Sequence, residues 1–291
     1  MEASISHLLV PVDYSDKSVF GLKYAVKLNK VLNGKITFLN VIKGVDPIWS
    51  EFFTDVEREI LLKKLRDHLH SFVLKNAEID ESQFDCVIAK GKLCDTIMQT
   101  AESLNVSAII MGTSRADNIK KMIIGTNALR VVSEAKCPVI TIKGEPSTTE
   151  IKRLILPLDI SKETREKVMD AVDIAKKFGA EVLVVSAYTF DDELVYNKLR
   201  QQQDQVVKFI TDRGIKCSGS LFRTGDQVGG VLGFIDENKG DMVIITTHQQ
   251  LEIVNSFVGS FAKSIISKSK IPVMSIVPRN KYNVIFKIPA C

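Results

Sequence analysis

An aspartate early in the chain and a glycine–hydroxyl pair well downstream are the residues best suited to holding a small polar ligand. The aspartate is Asp13, which follows the apolar run Leu8-Leu9-Val10-Pro11-Val12 and precedes Tyr14-Ser15. A carboxylate there can accept hydrogen bonds from a ribose hydroxyl or a base amine. Just ahead of a helix it is also favoured by the helix dipole alone, and residue type does not separate the two readings. The second group is Gly112, then Gly125-Thr126. Glycine at a strand end lets the backbone approach a bound group closely. Gly-Thr opening the helical stretch Thr126-Asn127-Ala128-Leu129-Arg130-Val131-Val132 presents backbone N–H donors to an anion, with the Thr126 hydroxyl as a further donor. A turn glycine followed by a capping threonine would read the same way.

Both groups occur twice. Leu154-Ile155-Leu156-Pro157-Leu158-Asp159-Ile160-Ser161 repeats the first, with Asp159 lying 146 positions after Asp13. Ile245-Thr246-Thr247-His248-Gln249, then Gly259-Ser260, repeats Met111-Gly112-Thr113-Ser114-Arg115, then Gly125-Thr126, 134 positions later. One domain is written twice, and residues 1–146 and 147–291 are the expected units. The polar linker Gly144-Glu145-Pro146-Ser147-Thr148-Thr149-Glu150 joins them. The copies differ where a ligand would be touched: Thr246 stands for Gly112, and Gln249 for Arg115.

The elements that must position these residues follow from hydrophobic patterning. Strands are expected at Ile5–Val12, Ile36–Ile42, Phe84–Ala89, Ser107–Gly112 and Val139–Lys143, and again at Lys152–Leu158, Glu181–Ala187, Lys216–Phe222, Asp241–Thr246 and Val273–Val277. Runs such as Ala108-Ile109-Ile110-Met111 and Val182-Leu183-Val184-Val185 are apolar throughout, as in parallel sheets covered by helices on both faces. Helical patterns between them imply βαβ crossovers. Leu22, Ala25, Val26 and Leu32 share one face of the first helix, as Val168, Ala171, Val172 and Phe178 do in the copy. Ser15 and Ser161 stand at N-cap positions. Leu61, Leu65, Leu69 and Phe72 mark a long helix, replaced in the copy by a shorter one over Asn197–Asp212. The fold class is therefore α/β, two tandem doubly wound parallel-sheet domains of Rossmann-like type.

On these residues the chain resembles the tandem universal stress proteins, an adenine nucleotide alpha hydrolase-like family. Its nucleotide binders carry Gly-x2-Gly-x9-Gly-Ser/Thr after strand four. Gly112, Gly125 and Thr126 match that pattern, with Arg115 at the second glycine; the second half keeps only Gly259 and Ser260. The resemblance implies an adenosine pocket lined by Pro11, Val12, Asp13 and Val41, and phosphates held by Gly112, Gly125 and Thr126. Arg115 adds a guanidinium that can pair with a phosphate. It also implies ATP or another adenine nucleotide in the first half. The second site (Pro157, Asp159, Thr246, Gln249, Gly259, Ser260) is expected to be degenerate, because a β-branched Thr246 obstructs the backbone there. The family pairs single domains through their last strands, so Val139–Ile142 and Val273–Val277 are expected to join the halves as an intramolecular pseudo-dimer.

Other chemistry is sparse. No Walker-type loop, Gly-x-Ser-x-Gly elbow or Gly-x-Gly-x-x-Gly occurs. No general base with an oriented partner stands out, so no catalytic residue is assigned. His7 is expected to be structural or exposed. His68 and His70 are two apart on a helix and do not make a metal pair; His248 is a loop residue. Trp49, Phe52 and Phe53 are expected to cover the core, or else to meet a partner. Net charge is +4 with acids and bases interleaved, too mild for a nucleic-acid partner. Lys263, Lys268 and Lys270 read as a solvated helix end. Five scattered cysteines and no long apolar run suit reduced thiols in a cytoplasmic protein without membrane contact. The function expected is non-enzymatic stress response with nucleotide bound in the first half. A scaffold with both sites degenerate, or a slow ATPase, are the alternatives; homodimerisation and an unidentified protein partner stay open.

Overall fold

Apolar strands need cover on both faces, and here they form one sheet. The computed structural model describes residues 7–43, 53–113, 125–145, 150–159, 167–189, 191–247 and 258–277. The first half contributes β1 (His7–Pro11), β2 (Lys35–Ile42), β3 (Phe84–Lys90), β4 (Ala108–Thr113) and β5 (Val139–Lys143). The second contributes β6 (Arg153–Pro157), β7 (Glu181–Tyr188), β8 (Cys217–Arg223), β9 (Met242–Thr246) and β10 (Val273–Ile276). Between them run α1 (Asp16–Leu32), α2 (Asp55–Asn76), α3 (Leu93–Ser103), α4 (Thr126–Glu134), α5 (Lys167–Phe178), α6 (Glu193–Thr211), α7 (Gln227–Glu237) and α8 (Ser260–Lys268).

The strand order is β3-β2-β1-β4-β5-β10-β9-β6-β7-β8 in a single ten-stranded sheet. Pairing is parallel within each half. It turns antiparallel where β5 meets β10, with Met274 opposite Ile140. Joining the last strands in this way covers two edges that would otherwise be open. Successive side chains alternate between faces: Leu8, Val10 and Leu154 belong to one buried layer, and Leu9, Ile109 and Ile155 to the other. Each layer runs across both halves, so the two copies are packed as one body.

Helix starts follow their caps. The Ser15 side chain accepts from Ser18 N at the head of α1, and a Thr54–Glu57 capping box opens α2. α6 begins at Glu193 rather than at the expected Asn197. The reason is Asp192, whose carboxylate accepts from Leu194 N at 2.9 Å and Val195 N at 3.2 Å. Ser161, Trp49 and Phe52 lie outside the described residues.

Candidate functional site

β1 keeps pairing with β2 as far as Pro11 opposite Leu39, but pairs with β4 only at Leu8–Ala108 and Leu9–Ile109. Beyond Leu9 the two central strands part, and strand order reverses at the same place. Open α/β sheets hold ligands in such a gap, outside the carboxyl ends of the strands. Pro11, Val12 and Asp13 leave the sheet there. Val12 is buried; its N–H donates to Leu39 O at 2.8 Å, and its carbonyl accepts from Asn40 Nδ2 at 2.7 Å. Asn40, itself buried, thus pins the exit of β1, and nothing in the sequence reading singled it out. Val41 follows it on β2, half-buried.

Asp13 is exposed and held by its neighbours. Its Oδ1 accepts from Ser15 N at 3.1 Å and from Ser15 Oγ at 2.5 Å. Burial of the carboxyl acts to raise its pKa, but these hydrogen bonds outweigh it and leave the group below the usual carboxylate range. Asp13 is therefore a fixed anionic acceptor at neutral pH. The turn that sets it there is strained: Tyr14 has φ 64°, which costs a non-glycine residue about 1 kcal/mol or more. The Tyr14 ring offsets this by packing on Phe72 and His68 of α2, with centroids 5.0 and 5.1 Å away.

Gly112 has a duty that the sequence reading did not foresee. A Cβ there would lie 1.7 Å from the carbonyl oxygen of Lys17, in the first turns of α1. A Cβ on Gly21, one turn further on, would lie 3.0 Å from Gly112 N. Its missing side chain therefore admits α1 onto β4, and the protein's own helix takes up the close approach expected for a ligand. A lone glycine inside a helical pattern was the available signal for Gly21.

Gly125 is the opposite case. It is the N-cap of α4, and among the described residues no side chain caps that helix and a Cβ would meet nothing within 4 Å. Thr126 is the first helical residue, exposed, and does not act as the cap. The first N–H groups of α4 are thus left to solvent or a ligand, as an anion site requires. Arg115 lies outside the described residues.

In the second half the corresponding strands also part, since β6 pairs with β9 only at Leu154–Met242 and Ile155–Val243. The cleft is lined by Pro157, Leu158, Asp159, Lys167, Thr246 and Phe261, among others. Pro157, Asp159 and Thr246 lie together in that lining. Gly259 caps α8 without a side-chain bond and donates from its N–H to Thr247 O at 2.7 Å, which ties Ser260 to the end of β9. Gln249 and His248 lie outside the described residues. Lys167, which the sequence reading passed over, is 3% exposed.

The remaining candidates are structural. His7 Nε2 is 2.8 Å from Thr37 Oγ1, and burial lowers its pKa. His70 stacks on Phe84 and lies 3.4 Å from Glu81. Among the described residues no cluster of His, Cys, Asp or Glu could hold a metal ion, and no helix is long and apolar enough to cross a membrane.

Fold and cleft together define a tandem doubly wound α/β protein with a switch-point cleft in each half. The family model described as universal stress protein family matches residues 4–143 and 150–276. The chain belongs to that family. Universal stress protein MJ0531 of Methanocaldococcus jannaschii is 26% identical over 139 residues, covering 47% of this chain and 81% of that protein. Universal stress protein YxiE of Bacillus subtilis is 24% identical over 150 residues, covering 47% of this chain and 97% of its own length. Among solved structures, a universal stress protein of Archaeoglobus fulgidus superposes with TM-score 0.74 at 20% identity. That match covers 96% of this chain and all of the other.

Proposed function

We infer that this chain is a non-catalytic stress-response protein that binds ATP or a related adenine nucleotide in its first half. The observation that carries this reading is the head of α4. Among the described residues nothing packs where a Gly125 side chain would lie and no side chain caps the helix it opens, while Asp13, after β1, is held as a fixed acceptor. Those parts fit a nucleotide: N–H donors and a helix dipole for phosphate, a carboxylate for ribose hydroxyls, and Pro11, Val12 and Val41 for the apolar adenosine faces. Occupancy would change conformation or partner affinity rather than drive turnover. The free thiols of Cys86, Cys94, Cys137 and Cys217 suit a reducing compartment such as the cytoplasm.

Mass spectrometry of the fraction released by heating the purified protein tests this. An adenine nucleotide is expected, and it should disappear in Gly125→Tyr. A fraction without nucleotide, together with no rise in Tm on adding ATP, overturns the reading.

A further inference from the structure

The same two places of the repeat are filled differently beside the two clefts. Gly21 and Lys167 are 146 positions apart, and Gly112 and Thr246 are 134 apart, so each pair occupies one place in the repeat. In the first half both places are glycine, helix and strand meet backbone to backbone, and neither residue has a side chain to send into the cleft. In the second half both places carry side chains that line the cleft. Only about 10 Å³ remains enclosed there, room for roughly one water. Pockets for small molecules run to about 300–1,000 Å³.

We propose that Lys167 is a built-in plug that closes the second cleft to nucleotide, leaving one adenine-nucleotide site per chain. The inference rests on the reading of the first half as that site. Three features of Lys167 fit the role. It is buried yet belongs to the lining of the cleft, so its stem fills space that a ligand would use. It feels the charge of Asp159, the counterpart of Asp13, so the carboxylate that would meet a ribose already faces a cation of the chain itself. Gln227, Thr246 and Phe261 line the same cleft. A buried ammonium is expensive unless paired, and burial pushes this amine down to about 8 against the raising influence of Asp159. A nucleotide entering this cleft would have to displace the Lys167 side chain.

Equilibrium dialysis with radiolabelled ATP tests the plug. The wild-type chain should bind one ATP, and Lys167→Gly/Thr246→Gly, which restores the glycine pair of the first half, should bind two. Thr246→Gly alone should stay at one. Two sites in the wild type, or a second site opened by Thr246→Gly alone, or none gained by the double variant, overturns the plug. If the wild type binds none while the double variant binds one, the plug stands and the reading of the first half falls. A measurement on the unaltered chain keeps the inference testable should the double variant not fold. Brief acetylation with acetic anhydride, read by mass spectrometry, should leave Lys167 protected to the same extent with and without saturating ATP. A change in Lys167 labelling with ATP would mean that nucleotide reaches the second cleft.

Discussion

The junction of α1 with β4 and the junction of α5 with β9 began as the same piece of sequence and now solve different problems. In the first half, Gly21 and Gly112 let a helix lie directly on a strand, and neither place carries a side chain. In the second, Lys167 and Thr246 put side chains where the first half has none, and the cleft is packed. A glycine in a motif is easily taken as a mark of ligand contact. Here one motif glycine, Gly112, serves the protein's own packing, and another, Gly125, meets no packing partner among the described residues.

The sharpest way to break this comparison is to exchange residues between the junctions. Gly112→Thr should cost about 3 kcal/mol or more, since its Cβ would overlap the Lys17 carbonyl. Thr246→Gly should cost only about 1 kcal/mol, from lost packing and strand entropy. Urea unfolding of both variants decides it, and equal costs would show that the two junctions are packed alike.

The next effect is in the pH dependence. Lys167 has its pKa lowered from 10.5 to about 8 in the folded chain, by burial. Between these values Lys167 holds its proton more tightly in the unfolded state, so its own contribution to stability rises with pH across that window, against the falling contribution of the thiols of Cys86, Cys137 and Cys217, which burial pushes up. Below about 8 both states are protonated and the full penalty is present. That contribution should amount to about 3 kcal/mol. Lys167→Met should abolish it and raise the urea midpoint at pH 7. An unchanged pH profile in that variant would mean that Lys167 is not buried as described. Ser15→Ala should cost about 1 kcal/mol, the usual value of an N-cap, and should also raise the Asp13 pKa toward the ordinary carboxylate value by removing the hydroxyl donor. Chemical-shift titration of Asp13 alongside the melt separates the two effects.

The smallest stability change should come from Gly125→Ala and Gly259→Ala, each within about 1 kcal/mol of wild type, since alanine is only a poorer cap. Their functional effects should differ. The Tm shift on adding ATP should shrink in Gly125→Ala and persist in Gly259→Ala. Equal shrinkage in both would mean that the halves bind alike.

All ten strands were legible, with ends within two residues of those observed; the central ones read as continuous apolar runs because burial on both faces leaves little freedom there, while β3 and β8, at the sheet's two edges, are more polar and less buried. The offset repeat likewise exposed the replacement of Gly112 by Thr246. Reading failed where the deciding contact was remote in sequence. The neighbour of Gly112 is Lys17, and spacing along the chain says nothing of how closely α1 approaches β4. Lys167 was hidden for another reason. It ends the polar stretch Ser161-Lys162-Glu163-Thr164-Arg165-Glu166-Lys167, which looks like an exposed first helical turn. Only its three-dimensional setting reveals a buried amine. Asn40 was missed because an asparagine within a strand is recognised as a fastening only when its partner, the Val12 carbonyl, is known.

The antiparallel seam between β5 and β10 has a consequence of its own. Strands of the two halves run in opposite senses, so their carboxyl ends emerge on opposite rims of the shared sheet. The cleft of the first half and the plugged one therefore never share a mouth. A partner that grips one rim reaches the other through the seam and through the contact of α1 with α5, and the molecule has a front and a back although its halves descend from one design.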